Sequence, residues 1–275
     1  MDDEIVVGVN IKNNTKKKNN GKNKKKKVTT KNKKITKKSK ILFCTILVII
    51  AVLLILNSPL FNVKNIVVEG NATNSSEKIV SLSGLQTYTN IFKFNENDVI
   101  EKIKENAYIE NVKIEKKLPS TVKIIVEERT PKYMLQFADS YVYINNQGYM
   151  LEISNEKLNI PILIGFTTDL SNIKAGNRIT IDDLKKMDMV IKIYEAAKSN
   201  GLADLVTKID ISNDKNYTII LETEGKKVYL GDCSNLNTRI LYLNSILEAS
   251  KGKSGEIFLN MDLNEQNPYF RPSSY

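Results

Sequence analysis

The sequence predicts an α+β protein: a single N-terminal transmembrane helix, a β-α-α-β-β module, and a second mixed β module with two helices. Three observations carry this reading. A Lys-rich stretch runs into a long uncharged apolar segment, residues 62–130 alternate between strand and helix patterns, and residues 131–263 hold short strands interrupted by two helix-period segments.

Charge divides sharply along the chain. Residues 1–40 contain 15 Lys against Asp2, Asp3 and Glu4, a net charge of +12, which leaves 26 basic and 28 acidic residues for 41–275. The basic character therefore belongs to the tail, and no specific nucleic-acid partner is implied for the folded part. The tail is too poor in apolar residues to collapse, so 1–40 reads as a disordered, solvated cytoplasmic segment. Contact with anionic headgroups is compatible with that role, at about 1 kcal/mol per lysine near the surface.

From Ile41 to Leu56 the chain reads ILFCTILVIIAVLLIL, and no charge follows until Lys64. About 20 residues of helix span a hydrocarbon core, so 41–61 is expected to be the transmembrane segment. Lys33, Lys34, Lys37, Lys38 and Lys40 flank its N-terminal end, while Lys64 alone lies near the other. The positive-inside rule then places the N-terminus in the cytoplasm and the later residues outside. A cleaved signal peptide fits less well, because the basic stretch is long and no small-residue cleavage pattern follows.

Outside, Val63, Ile66 and Val68 form a strand pattern closed by Glu69-Gly70. Asn74-Ser75-Ser76-Glu77 is a helix-start signal leading to Ile79, Val80 and Leu82, with Gly84 as the stop. Asn95-x-x-Asp98 opens a second helix with Val99, Ile100, Ile103 and Ala107 on one face. Val112 and Ile114, then Val122, Ile124 and Val126, alternate with polar residues across a hairpin turn at Lys116–Ser120. Each strand is apolar on one side only, so the two helices must cover one sheet face.

In the second module, Tyr141–Ile144 and Tyr149–Ile153 flank an Asn145–Gly148 turn, and Pro161–Gly165 is a buried-type run. Thr180-x-x-Asp183 caps a helix with the stripe Leu184, Met187, Ile191, Tyr194 and Ala197, ended by Gly201. Strands are expected around Val206–Ile211, Tyr217–Glu222 and Lys227–Leu230, and a helix over Leu236–Ala249 with Ile240, Leu243 and Leu247 at helical spacing. Glu256–Leu263 reads as the last strand, and 264–275, with Pro268 and Pro272, as a flexible tail. Tyr141, Tyr143, Tyr149, Tyr217, Tyr229 and Tyr242 suit strand and core positions better than a ligand platform.

The segments FNVKNIVVEGN (61–71) and AYIENVKIEKKLPSTVKIIVEERTP (107–131) resemble a POTRA domain, and with one preceding membrane helix the chain resembles the FtsQ/DivIB cell-division family. The Asn145-x-x-Gly148-x-x-Leu151 and Pro161-x-Leu163-x-Gly165 patterns match the start of that family's β domain. Residue patterns and the resemblance together divide the chain into five parts: tail 1–40, membrane helix 41–61, POTRA domain 62–130, β domain 131–263 and tail 264–275. The resemblance also implies a non-catalytic scaffold at the division septum. Its partners would be bitopic coiled-coil proteins of the FtsL and FtsB/DivIC type and the septal peptidoglycan synthase complex.

Little points to an enzyme. The chain has no His, which removes Ser-His-Asp and Cys-His catalysis and His-ligated zinc. Cys44 and Cys233 lie too far apart in context to bridge, so the fold does not rest on a disulfide. S-x-x-K occurs at Ser75/Lys78, Ser120/Lys123 and Ser154/Lys157, but neither S-D-N nor K-T-G accompanies it. Gly252-Lys253-Ser254 lacks the glycine that a phosphate loop needs. No cofactor or metal is expected. An assembly or transport protein with a POTRA module, and a cell-wall enzyme, remain alternatives.

The expected binding mechanism is strand addition: an edge strand offers unpaired N–H and C=O groups that a partner segment completes. Ile257, Phe258, Leu259, Asn260, Met261, Asp262 and Leu263 are the candidates. The family's last strand commonly continues as V-D-L-R-Y. Here Asp262-Leu263 matches, while Asn264 and Glu265 replace the Arg and Tyr.

Overall fold

The computed structural model describes residues 36–273. The first helix, α1 (Lys37–Leu56), is 20 residues long, about 30 Å at 1.5 Å per residue. None of its residues is buried, and it is long and apolar enough to cross a membrane. The helix starts at Lys37 and stops at Leu56, and Pro59–Phe61 turns as a short 3-10 segment. The expected membrane segment 41–61 thus includes non-helical residues at its end. Lys37, Lys38 and Lys40 occupy the start of α1; Lys33, Lys34 and the rest of the Lys-rich tail lie outside the described residues.

The first module contains β1 (Asn65–Glu69), α2 (Ser76–Ser83), α3 (Glu96–Lys104), β2 (Ile109–Lys117) and β3 (Thr121–Glu128). Its sheet order is β1-β3-β2, with β1 parallel and β2 antiparallel to the central strand. Alternation puts Val122, Ile124 and Val126 of β3 on one face, where they pack on Ile79 of α2 and on Val99 and Ile103 of α3. Ser75 caps α2, its hydroxyl accepting from Lys78 N–H at 3.2 Å. Asn74, expected to open that helix, turns inward instead. Gly70 has φ +84° beside the Val126 carbonyl, and a side chain there would strike that oxygen.

The second module runs β4 (Tyr133–Phe137), β5 (Ser140–Ile144), β6 (Met150–Ser154), β7 (Ile162–Ile164), α4 (Ile181–Ser199), β8 (Lys208–Asp210), β9 (Tyr217–Leu221), β10 (Lys226–Gly231), α5 (Leu236–Ala249), β11 (Gly255–Phe258) and β12 (Tyr269–Pro272). These strands make one mixed nine-stranded sheet in the order β12-β11-β10-β9-β8-β7-β4-β5-β6. One face carries Leu135, Ile144, Leu163, Ile209, Ile219, Val228 and Ile257 against Met187, Val190 and Ile193 of α4 and Ile240 and Leu243 of α5. The inward stripe of α4 is therefore shifted from the expected one. Met187 and Ala197 are buried as expected, but Val190 and Ile193 fill the centre while Leu184, Ile191 and Tyr194 are half-buried.

Opposite the helices, Met134, Tyr143, Leu151 and Ile162 form a second apolar cluster, completed by Tyr108 from the first module. Tyr108 O–H also donates to Glu152 at 2.7 Å. The two modules are thus joined by shared packing rather than by a bare linker.

Candidate partner-binding site

The expected site does not lie on a sheet edge. Ile257 and Phe258 belong to β11, which pairs in parallel with β10 and antiparallel with β12, so both sides of the strand are occupied. Leu259 leaves the strand with its side chain buried, and its N–H donates to Tyr229 O at 2.9 Å. Met261 O accepts from Arg239, and Asp262 closes a turn by accepting from Asn264, Glu265 and Gln266 N–H groups. Asn260 and Leu263 lie on this turn segment. It reverses the chain, and Tyr269–Pro272 returns along β11. Residues expected to be a flexible tail therefore cover the edge expected to be open. Alternation in Tyr-Phe-Arg was the available sequence signal, hidden by the prolines on either side.

At this end of the sheet the open edge belongs to β12, which no strand flanks on its other side among the described residues; β6 is the edge at the other end. Ser273 N–H donates to Ser254 O, in register with the pairs Glu256↔Arg271 and Phe258↔Tyr269. In an antiparallel ladder this turns the backbone groups of Tyr269 and Arg271 towards β11 and those of Phe270 and Pro272 outward. Pro272 has no N–H, and neither does Pro268 just before the strand. The outer edge therefore offers one donor, the Phe270 N–H, together with carbonyl acceptors.

The sheet face beside this edge carries two cross-strand rows. Tyr229, Phe258 and Tyr269 stack with centroids 4.9 Å apart at each step and ring planes within 18°. Beside them, Glu256 lies 3.6 Å from the Arg271 guanidinium and accepts from Tyr229 O–H at 2.7 Å. Arg271 also covers the Phe258 ring at 4.5 Å, and Lys227 lies 5.0 Å from the Tyr229 ring. Cross-strand aromatic and charge pairs each contribute roughly 0.2–1 kcal/mol. The ladder ends on Tyr269, which is 45% exposed at the free edge.

Elsewhere, the groups considered for catalysis do not converge. Ser75 is a helix cap, the Ser154 hydroxyl accepts from Glu156 N–H, and Ser120 lies in the β2–β3 turn. Among the described residues, no group of three or more Cys, Asp or Glu is placed to hold a metal ion. Cys233 is buried, and burial pushes its thiol up to about 12.

A family model described as the POTRA domain, FtsQ-type, matches residues 61–129. The cell division protein DivIB of Clostridium botulinum (strain Hall) is 31% identical over 226 residues, covering 82% of this chain and 87% of that protein. The chain belongs to the FtsQ/DivIB family. DivIB of Clostridium acetobutylicum is 36% identical over 167 residues, which span 60% of this chain and 65% of that protein. Cell division protein FtsQ of Syntrophotalea carbinolica is 25% identical over 202 residues, 73% of this chain and 70% of that protein. A single apolar N-terminal helix fits a single-pass membrane protein, and relatives named as division proteins fit a place at the septum.

Within this FtsQ/DivIB chain, the Glu128-Arg129 pair at the end of the POTRA domain has work that the sequence did not reveal. The Glu128 carboxylate accepts from the N–H groups of Ala72, Thr73 and Asn74 and from the Asn74 side chain, at 2.6–3.2 Å. Burial alone would raise its pKa, but these hydrogen bonds hold the carboxyl below its usual range. Arg129 donates to the carbonyls of Ala107 and Ile109, and its guanidinium lies 4.2 Å from the Tyr149 ring centroid in the β domain. One motif thus pins a POTRA loop and, one residue later, the joint to the next domain.

Proposed function

We propose that this protein is a non-catalytic scaffold of the bacterial divisome. Held by α1 with its N-terminus in the cytoplasm, it presents both domains outside and binds other bitopic division proteins of the FtsL and FtsB/DivIC type, helping to organise septal peptidoglycan synthesis. The observation that carries the binding half is the free edge of β12 beside an exposed aromatic row. A partner segment that adds there completes the Phe270 N–H and the outward carbonyls and lays a side chain against Tyr269. Ile257–Leu263 then support the binding strand instead of forming it. Tethering every component to one membrane raises their effective concentration, so a short edge suffices.

A second reading has its own support. Prolines and a charged residue on a short edge strand are devices that prevent unwanted pairing, and β12 is four residues long with Pro272 and Arg271. On that reading β12 guards β11. Deleting residues 268–275 from the full-length protein and capturing its membrane partners separates the two. Loss of the FtsL- and DivIC-type partners supports addition at β12, whereas equal or greater capture identifies β12 as a guard. Tyr269→Ala, which leaves the backbone in place, is expected to weaken capture without abolishing it.

A further inference from the structure

Apolar and basic residues gather at the end of the POTRA domain where the chain emerges from α1. Leu60 is 55% exposed, Tyr88 78%, Phe92 44% and Leu118 57%. They come from three separate segments that the fold brings together. Val63 N–H donates to Thr89 O, Tyr88 N–H to Val63 O and Ile91 N–H to Phe61 O, which ties the loop between α2 and α3 to the stretch after the helix. The rings of Phe61 and Phe92 are 5.3 Å apart. Lys64 N–H donates to Ser120 O, which brings in the β2–β3 turn that carries Leu118. The Asn90 side-chain amide donates to Leu56 O, the last carbonyl of α1, at 2.8 Å.

Lysines outnumber acids at this end. Residues 57–64, 84–95 and 116–123 contain Lys64, Lys93, Lys116, Lys117 and Lys123 and no acid, although 41–275 as a whole has an excess of acids. Lys116 and Lys123 are matched by Glu96 and Glu69, at 2.9 and 2.6 Å. Lys64, Lys93 and Lys117 are exposed, and Lys117 reaches Glu115 only at 3.9 Å. Tyr88 adds a further sign of construction. Its φ of 68° is in the left-handed region, costly for an aromatic residue, and it holds the most exposed of these side chains outward.

We propose that this end of the POTRA domain is a membrane footing: Leu60, Tyr88, Phe92 and Leu118 enter the headgroup zone of the outer leaflet, and Lys64, Lys93 and Lys117 meet anionic phospholipid. The occupant follows from covalent continuity. Leu60 is four residues past the end of α1, so it lies within about 14 Å of the point where the helix stops. Aromatic rings flanked by lysines are the composition that the membrane–water interface favours. The footing rests on the reading that α1 spans the bilayer, and it concerns lipid rather than the division partners.

The chain has no Trp, so single-Trp variants of the full-length protein report on each position separately. Leu47→Trp, Tyr88→Trp and Tyr242→Trp are placed in nanodiscs of phosphatidylcholine with or without phosphatidylglycerol. The lipids carry either bromine in the acyl chains or a nitroxide near the headgroup. Leu47→Trp is expected to be quenched by the brominated chains. Tyr88→Trp should be blue-shifted and quenched by the headgroup nitroxide in anionic discs, and Tyr242→Trp on α5 should stay water-like. Replacing Lys64, Lys93 and Lys117 by Gln in the Tyr88→Trp background should lower the docked-to-free ratio about fivefold per lysine. A quenched Leu47 probe with a Tyr88 probe that matches the Tyr242 one overturns the footing alone. An unquenched Leu47 probe overturns the span and the footing together. Quenching at position 88 that is indifferent to the three lysines overturns the proposal as well.

Discussion

Asp183 shows how a residue type that is ordinary on paper takes a decisive place in the fold. As an acid in the first turn of α4 it reads as a helix-start residue, yet it is fully buried. Its carboxylate accepts from the backbone N–H and the hydroxyl of both Thr167 and Thr168, at 2.6–3.0 Å. Burial by itself would raise its pKa. The hydrogen bonds outweigh that and hold the carboxyl below its usual range. Asp183→Asn leaves one acceptor oxygen for four donors, so a cost of about 2–4 kcal/mol is expected in urea or thermal unfolding. The pH dependence has a definite sign. A carboxyl whose folded pKa is depressed stabilises fully above its unfolded value, about 3.9 for Asp and 4.3 for Glu, and that contribution is lost as pH falls through the folded value. Stability should therefore drop below about pH 4, and the drop should be smaller in Asp183→Asn and in Glu128→Gln. Unfolding midpoints measured at neutral and acid pH check both. Cys233 gives a simpler residue-scale test: with its thiol pushed up to about 12, it should resist alkylation until the domain unfolds.

At the scale of elements, β12 separates what sequence shows from what it hides. Deleting residues 268–275 exposes the N–H and C=O groups of β11 that face β12, and it removes the last ring of the Tyr229–Phe258–Tyr269 stack. The truncated protein should keep the rest of its sheet but self-associate, because β11 becomes an edge of equal length with no proline to block pairing; sedimentation velocity measures this. The POTRA elements were legible because each strand alternates cleanly and each helix has a polar cap residue, and α5 was legible from Ile240, Leu243 and Leu247. β4 and β12 were not singled out, for different reasons. Tyr133, Met134 and Leu135 are all buried because β4 lies between two apolar clusters, so no alternation marks it. β12 alternates, but Pro268 and Pro272 confine it to a span that looks like tail. The family motif located Glu128 and Arg129 without disclosing their partners, since those lie more than 50 residues away for Glu128 and, for Arg129, 20 and 22 residues away at Ile109 and Ala107 and in the other domain at Tyr149. The expected edge strand proved to be paired on both sides, because pairing order is set by a turn at Asp262 that local pattern does not reveal.

For the whole molecule, the joint decides whether the POTRA and β domains act as one body. Three side chains cross it: Tyr108 is buried among Met134, Tyr143 and Leu151, Arg129 stacks on Tyr149, and the Gln147 side chain donates to Glu110 at 2.9 Å. Arg178 covers the Tyr149 ring as well, at 5.1 Å, so that ring is held by two guanidinium groups. Arg129 N–H also donates to Tyr108 O, which makes Tyr108 and Arg129 parts of one network. Their effects should therefore be non-additive. Tyr108→Phe removes the hydroxyl bonded to Glu152, and Arg129→Gln removes the stacking cation and shortens the reach to Ala107 and Ile109; each should loosen the joint by about 1 kcal/mol. Hydrogen exchange reads this directly. Amides at the domain boundary, from Ile109 and from Lys132 to Leu135, should exchange several-fold faster, while those of β9–β11, separated from β4 by β8 and β7 in the sheet, should be unchanged. The double variant should show less than the sum of the two single effects. Uniform acceleration throughout the β domain would mean that these residues stabilise the fold generally. Unchanged exchange at the boundary would mean that the apolar cluster around Tyr108 holds the domains together without the polar contacts. If the joint is rigid and both the proposed footing and the proposed addition at β12 hold, the POTRA domain would fix the height at which β12 meets a partner, and loosening the joint should weaken partner capture even though no residue of β12 has changed.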